Sequence, residues 1–296
     1  MKYWKQMTIF TLLTFFAQGQ SITYKVIKDT PDDIANYWVN VGLLDMGFAK
    51  DNPGYGLGAV SLNSVVHYKN KFGGELTLRK YYFSLSDIDE QKGGTQFEVG
   101  AFYNLGHKDK SRSQKVILAT KKSGNSTTTT SMQVPATIRR NFGVRAGFNF
   151  MKEGLVADST EHGLSGNYIS KSMGLYAGVL ITSSVNMKSH TQEYGIKGAG
   201  FVRRTYIDFL FNPIHPLSNL DGTKYTGESK LGAIGYRFGI EFMKPEPRKV
   251  MGSAQYFKFE IGSRPIDGYY GMFSWGFNFK RKVKSMSSFT VIREKE

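Results

Sequence analysis

The chain has 296 residues, no cysteine and a formal net charge of +15. The lack of cysteine excludes disulfides, thiolate chemistry, cysteine-ligated metal sites and a lipid anchor on a cysteine. The positive charge favours a polyanionic partner, and the 33 glycines, 17 tyrosines and 22 phenylalanines are typical of β-barrels.

Residues 1–19, MKYWKQMTIFTLLTFFAQG, have the organisation of a secretory signal peptide. Lys2 and Lys5 precede an apolar run over 7–17, and a small-x-small cleavage site follows at 17–19. Such a run is too short for a transmembrane helix, which needs about 20 residues. The sequence therefore predicts export, with residues 20–36 as an N-terminal periplasmic segment. An exported chain is expected to meet lipopolysaccharide and small anions, and no nucleic acid.

From residue 37 onward, large apolar residues recur at every second position, which is the period of a β-strand. Less regular candidate strands lie at 37–48, 57–69, 73–84, 95–105, 115–121 and 173–184, and a further one at 287–293. The most regular segments are 137–150, 203–213, 231–243, 255–263 and 268–282. Turn-rich connections are predicted between them at 50–56, 122–135, 212–227 and 244–249. The pattern predicts an all-β fold, an antiparallel transmembrane β-barrel of about 10–12 strands over 37–281, with 282–296 as a C-terminal tail or closing strand.

Alternation assigns each side chain of these strands to one of two faces. The face predicted to contact lipid carries the aromatic residues Phe148, Phe209, Phe238, Phe257, Phe273, Trp275, Phe277 and Phe279. The opposite face is predicted to line the lumen with the charged residues Arg139, Arg145, Arg204, Asp208, Arg237, Glu241, Lys258 and Glu260. Replacing Phe238 by Arg should therefore impair membrane insertion, whereas replacing the neighbouring Gly239 by Ser should matter much less.

The signal segment, "NYWVNVGL" at 36–43 and the strands "GVRAGFNF" and "GYRFGIEF" resemble the Gram-negative outer-membrane β-barrel superfamily, in particular its small, largely uncharacterised members. The resemblance implies a cell outer-membrane location, contact with lipopolysaccharide and outer-membrane lipid, and folding by the barrel-assembly machinery. Phe279 would supply the terminal aromatic that such barrels usually carry. The alternative fold is a soluble secreted β-sandwich, whose packed faces favour Val, Ile and Leu over repeated Phe and Trp.

No sequence feature predicts catalysis, a metal or a cofactor. The five histidines lack metal-ligand spacing, and in the segment 87–98 Lys92 occupies the position at which a calcium loop requires glycine. Ser61, Asn63 and His67 share one face of a strand, and we interpret them as polar lumen residues that hydrogen-bond one another. No catalytic residue is assigned.

Two function classes remain for a non-enzymatic barrel. A porin-like channel would use the predicted luminal set, whose five basic and three acidic residues weakly favour small anions. A barrel with a structural, surface-interaction or assembly role would pair these charges across strands and close the lumen. The second interpretation is preferred, and a soluble β-sandwich binding module is the third. The densest basic block, 106–145, is interpreted as solvated loop charge.

Overall fold

The structure is a computed structural model, and it describes residues 22–32, 37–49, 57–68, 71–84, 94–157, 166–219, 221–226, 232–244, 254–264 and 268–281. The predicted signal peptide at 1–19, the tail at 282–296 and the candidate strand at 287–293 lie outside these residues. Of the predicted segment 20–36, residues 24–29 form a strand. No helix in the described ranges is long and apolar enough to cross a membrane.

The strands, in chain order, are β1 (Tyr24–Asp29), β2 (Tyr37–Ala49), β3 (Leu57–Tyr68), β4 (Phe72–Ser84), β5 (Thr95–Ser123), β6 (Ser126–Ala157), β7 (Gly166–Thr191), β8 (Gly195–Ile214), β9 (Leu217–Asn219), β10 (Ile234–Lys244), β11 (Ala254–Arg264) and β12 (Gly268–Arg281).

Ten of these strands form one closed antiparallel barrel. The order around the barrel is β7, β6, β5, β4, β3, β2, β12, β11, β10 and β8, and β8 pairs again with β7. The first and last barrel strands, β2 and β12, pair along their length. The predicted all-β barrel is therefore confirmed, with the strand number at the lower end of the predicted range. A single closed sheet replaces the alternative of two packed sheets.

Two of the predicted boundaries are wrong. The segment 115–121 is the far half of β5 and not a separate strand, and 122–135 is not a long connection. Residues Gly124 and Asn125 alone form the turn, because Ser123 pairs directly with Ser126. Gly124 has φ 55°, the left-handed conformation that two-residue hairpin turns require. The threonine-rich stretch after it is polar, yet threonine favours strands.

The hairpin of β5 and β6 continues well beyond the barrel. Pairing of β4 with β5 ends at Phe72 and Tyr103, and pairing of β6 with β7 ends at Arg139 and Ser184. Past these points the hairpin packs on a second layer formed by β1 and the ends of β7 and β8. We call this two-layer part the extension; it comprises residues 22–29, 105–138 and 185–201.

A separate apolar core holds the two layers of the extension together. Its buried residues come from β5, β6 and β7: Val116, Leu118, Met132, Val134, Ala136, Ile138, Val185 and Met187. Tyr24 and Phe201 pack against them from the second layer. In addition, the Asp29 carboxylate on β1 accepts hydrogen bonds from the Thr137 backbone N–H, at 2.9 Å, and from its hydroxyl, at 2.7 Å. The basic block 106–145 thus lies mostly on ordered strands and not on a loop.

Candidate functional site: the barrel lumen

Charged and tyrosine side chains fill the lumen of the barrel. Barrels of about eight strands are filled by side chains, whereas 16 strands leave an aqueous channel. With ten strands, this barrel is closer in size to the barrels whose interior is filled by side chains. A cavity lined by Glu75, Arg145, Tyr176 and Arg204 among others has a volume of about 10 Å³, roughly the smallest space that holds one water molecule.

Three side chains from non-adjacent strands meet across the lumen. Glu75 on β4 accepts from Arg145 on β6 at 2.7 Å and from Arg204 on β8 at 2.6 Å. Arg204 also binds Glu241 on β10 at 3.0 Å, and the hydroxyl of Tyr176 donates to Glu75 at 2.9 Å. Because β4 and β8 lie apart in the barrel, this group spans the interior rather than following its wall.

A second group crosses the lumen between β10 and β5. Arg237 binds Glu98 on β5 at 2.6 Å and Asp208 on the neighbouring strand β8 at 2.5 Å. Its side chain is 2% exposed and that of Asp208 is fully buried. Buried guanidinium groups need partners for their donors, because desolvation costs several kcal/mol per ion. Two carboxylates accept from Arg237, Asp208 from its Nε and Glu98 from its Nη1.

A third group surrounds Glu260 on β11. Its carboxylate lies 3.3 Å from the Lys258 ammonium and 3.6 Å from the Arg264 guanidinium. The hydroxyls of Tyr206 and Tyr270 donate to it at 2.6 Å and 2.8 Å. Every oxygen of this buried carboxylate therefore has a donor, which makes its burial tolerable.

Luminal glycines make room for the tyrosine rings. Gly239 faces inward on β10, and a Cβ at this position would lie inside the contact distance of the Tyr206 ring. The same ring also packs against the Arg145 guanidinium, 4.2 Å from the ring centroid. Because glycine has no Cβ, position 239 leaves the space that Tyr206 needs to reach Glu260.

The sequence predicts that Gly239→Ser matters much less than Phe238→Arg, and the contact with Tyr206 gives a reason to expect a larger effect than that prediction. We expect Gly239→Ala or Gly239→Ser to destabilise the barrel by about 1–3 kcal/mol, the usual cost of overpacking, because Tyr206 must move away from Glu260. Urea unfolding in detergent or lipid measures the effect. Gly106→Ala is a matched control, since a Cβ there meets nothing within 4 Å. Equal effects of the two alanine variants would contradict the role assigned to Gly239.

Seven of the eight residues predicted to line the lumen are buried inside the barrel: Arg145, Arg204, Asp208, Arg237, Glu241, Lys258 and Glu260. Arg139 is not. It lies at the barrel rim, its side chain is 22% exposed, and it binds Asp109 on β5 at 2.7 Å. The hydrogen bond from Arg139 holds the pKa of Asp109 below its usual value. Arg139 shares the inward alternation of β6, but it is the first residue of this strand, in chain order, that pairs with β7, so its side chain lies at the rim and not in the lumen.

The predicted aromatic residues Phe148, Phe209, Phe238, Phe257, Phe273, Trp275, Phe277 and Phe279 all lie on the outer face of the barrel. Phe209 is 53% exposed and Phe279 50%. Lys80, which also falls on this face, is exposed and hydrogen-bonds Thr95 at 3.4 Å.

Sequence reasoning missed about half of the charges in the lumen. Among the described residues, these charges comprise six basic and seven acidic side chains: Arg79, Arg145, Arg204, Arg237, Lys258, Arg264, Asp45, Glu75, Glu98, Glu153, Asp208, Glu241 and Glu260. The positive excess counted from the sequence does not hold. Tyr206 could have been found, because it shares the alternation of Arg204 and Asp208.

The side chains of Ser61, Asn63 and His67 on the polar face of β3 have polar and aromatic neighbours. Asn63 donates to Ser61 at 3.5 Å and accepts from Thr77 at 2.9 Å. The His67 ring lies between Trp38 and Phe102, with ring centroids 4.6 Å and 4.8 Å away. In the described ranges, no group of three or more His, Asp or Glu side chains is placed to hold a metal ion.

No protein-family model matches the sequence, and no curated protein matches it either. The interpretation of this site depends on the geometry of the chain itself.

Proposed function

We propose that this protein is a non-enzymatic outer-membrane β-barrel whose lumen is closed and whose role is structural, surface-interacting or in assembly. The membrane location is supported by the outer surface. Each of the ten barrel strands exposes large apolar side chains outward, for example Val144 at 43%, Ile207 at 55% and Tyr236 at 52%. Soluble monomers rarely expose contiguous apolar patches of more than a few hundred Å².

Aromatic side chains at both rims support the same location, since aromatic girdles flank the apolar band of membrane barrels. Tyr37, Tyr68, Phe72, Tyr103 and Phe279 lie at the rim from which the extension projects. Phe48, Tyr236 and Tyr269 lie at the opposite rim. Between the two rims the outward residues are mainly apolar, and the charged residues point inward. Lipid and lipopolysaccharide are therefore the proposed surroundings, and the barrel-assembly machinery the proposed folding partner.

The observation that carries the closed-lumen proposal is the pairing of Glu75 with Arg145 and Arg204 across the interior. A channel needs a continuous water-filled path, and here the path is occupied by ion pairs whose members are at most 9% exposed. The near balance of luminal charge also removes the basis for preferring small anions. The role must then lie on the surfaces outside the lumen.

Planar bilayer recordings test this proposal. We expect the purified protein to give no single-channel conductance. The double variant Glu75→Ser/Arg204→Ser removes one positive and one negative group from the centre and should open a measurable path. Steady conductance of the unmodified protein, with or without anion selectivity, would contradict the closed lumen and favour the porin-like alternative.

A further inference from the structure

Among the described residues, one long strand edge of the extension has no partner strand. Pairing of β4 with β5 ends at Tyr103, and the last bond to this side joins the Asn104 N–H to the Lys71 carbonyl at 2.6 Å. From Leu105 to Ser123, β5 pairs only with β6 in the described part of the chain. These 19 residues correspond to about 60 Å of strand at 3.3 Å per residue. Such an edge carries a row of backbone N–H and C=O groups that can pair with another strand.

The edge is held in a fixed position. Val116 and Leu118 of β5 are fully buried in the core of the extension, at 0% and 1% exposure. The partner strand β6 is joined to β1 by the hydrogen bonds that Thr137 donates to the Asp29 carboxylate. A preorganised edge lowers the entropic cost of adding a strand, because only the incoming segment must be ordered.

The side chains along this edge are strongly basic. The exposed basic residues of β5 beyond the barrel are Lys108, Lys110, Arg112, Lys115, Lys121 and Lys122. Asp109 is the one acidic residue between 105 and 138, and it already binds Arg139. Two copies of this edge would place like charges opposite one another, which is unfavourable. Lysine at an edge therefore opposes self-association and favours a strand of opposite charge.

We propose that the free edge of β5, residues 105–123, is a docking site for an extended acidic segment of a partner protein, bound by strand addition. Backbone hydrogen bonds would supply the part of the affinity that does not depend on the sequence of the segment, and the basic side chains on both faces would select an acidic sequence. The proposal gives a location and a partner chemistry to the surface-interaction role above. It rests on that proposed role, whereas the conductance experiment tests the closed lumen, so the two experiments can fail separately.

Two fluorescent peptides test strand addition with the full-length protein in an uncharged detergent. The first is acetyl-(Glu-Thr)5-amide, and the second has the same sequence with every backbone nitrogen methylated, which keeps the charge and removes the donors. We expect the first peptide to bind by fluorescence anisotropy and the second to bind at least about tenfold more weakly, since several backbone hydrogen bonds are lost. Hydrogen exchange should slow at backbone amides within 105–123 and remain unchanged in β10 and β11.

A charge-reversal variant tests the specificity. Lys108→Glu/Lys110→Glu/Arg112→Glu should weaken binding of the acidic peptide about tenfold or more, because three exposed attractions become repulsions. The control Lys152→Glu/Lys171→Glu/Lys188→Glu makes the same net change at exposed sites away from the edge and should stay within about twofold, allowing for long-range screened charge. Both variants should keep the heat-modifiable mobility of a folded barrel.

Three results would overturn the proposal. Equal binding of both peptides would mean simple charge attraction without strand addition. Absence of peptide binding would mean that the lysines only protect the edge. Binding of a soluble anionic polysaccharide without either peptide would assign the basic surface to a different class of partner.

Discussion

Replacing Arg237 by methionine should destabilise the barrel by about 3–5 kcal/mol, the usual cost of removing one partner of a buried ion pair. The variant keeps most of the side-chain volume but leaves Glu98 and Asp208 without the guanidinium that lies 2.6 Å and 2.5 Å from them. The variant also removes the ion pair that joins β10 to β5 across the lumen. Urea titration in lipid vesicles, followed by tryptophan fluorescence and heat-modifiable mobility, measures the change in unfolding free energy.

Two further variants separate this effect from a general intolerance of substitution. The triple variant Arg237→Met/Glu98→Gln/Asp208→Asn removes the unpaired charges and should recover part of the lost stability, because amides cost less to bury than carboxylates. Arg139→Met removes an ion pair with partly exposed members at the barrel rim and should cost about 1 kcal/mol or less. A loss as large for Arg139→Met as for Arg237→Met would mean that burial does not decide the strength of these pairs.

The faces of the barrel strands could be predicted from the sequence because alternation is a local property. Phe238 and Arg237 are assigned to opposite faces by their position alone, and the structure places them so. The pairs within a hairpin follow in the same way, as for Glu241 opposite Lys258. Contacts across the lumen cannot be predicted in this way. Glu75 and Arg204 are 129 residues apart and meet only because the number and stagger of the strands bring them together, which no single strand encodes.

The ends of the strands were the least predictable feature. Arg139 alternates in phase with Arg145, but it lies at the rim where β6 leaves the barrel, and the buried positions of β6 are even-numbered from 132 to 138 and odd-numbered from 141 to 145. The second layer that buries Val134 and Ile138 comes from β1 and from the ends of β7 and β8, which lie outside the segments that the sequence predicts as strands. A hairpin with a polar, threonine-rich tip carries the same local signal as a loop.

The membrane location itself can be tested at Phe238. This residue lies near the middle of β10 on the outer face, directly between Ile207 of β8 and Ile261 of β11. Those two neighbours are 55% and 42% exposed. If lipid covers this surface, Phe238→Arg should destabilise the folded barrel in lipid vesicles by about 2–4 kcal/mol, since arginine near the bilayer midplane carries that cost in barrels.

Two controls make the result specific to lipid. Phe238→Leu keeps the surface apolar and should change stability by less than about 1.5 kcal/mol, the usual limit for conservative apolar replacements. Thr120→Arg introduces the same charge at an exposed position of the extension, outside the apolar band, and should be close to neutral. A soluble barrel would tolerate arginine at Phe238 as well as at Thr120, because water solvates both. Equal stability of these two variants in lipid vesicles would therefore contradict the proposed membrane-facing surface, whereas a selective loss at Phe238 would support it.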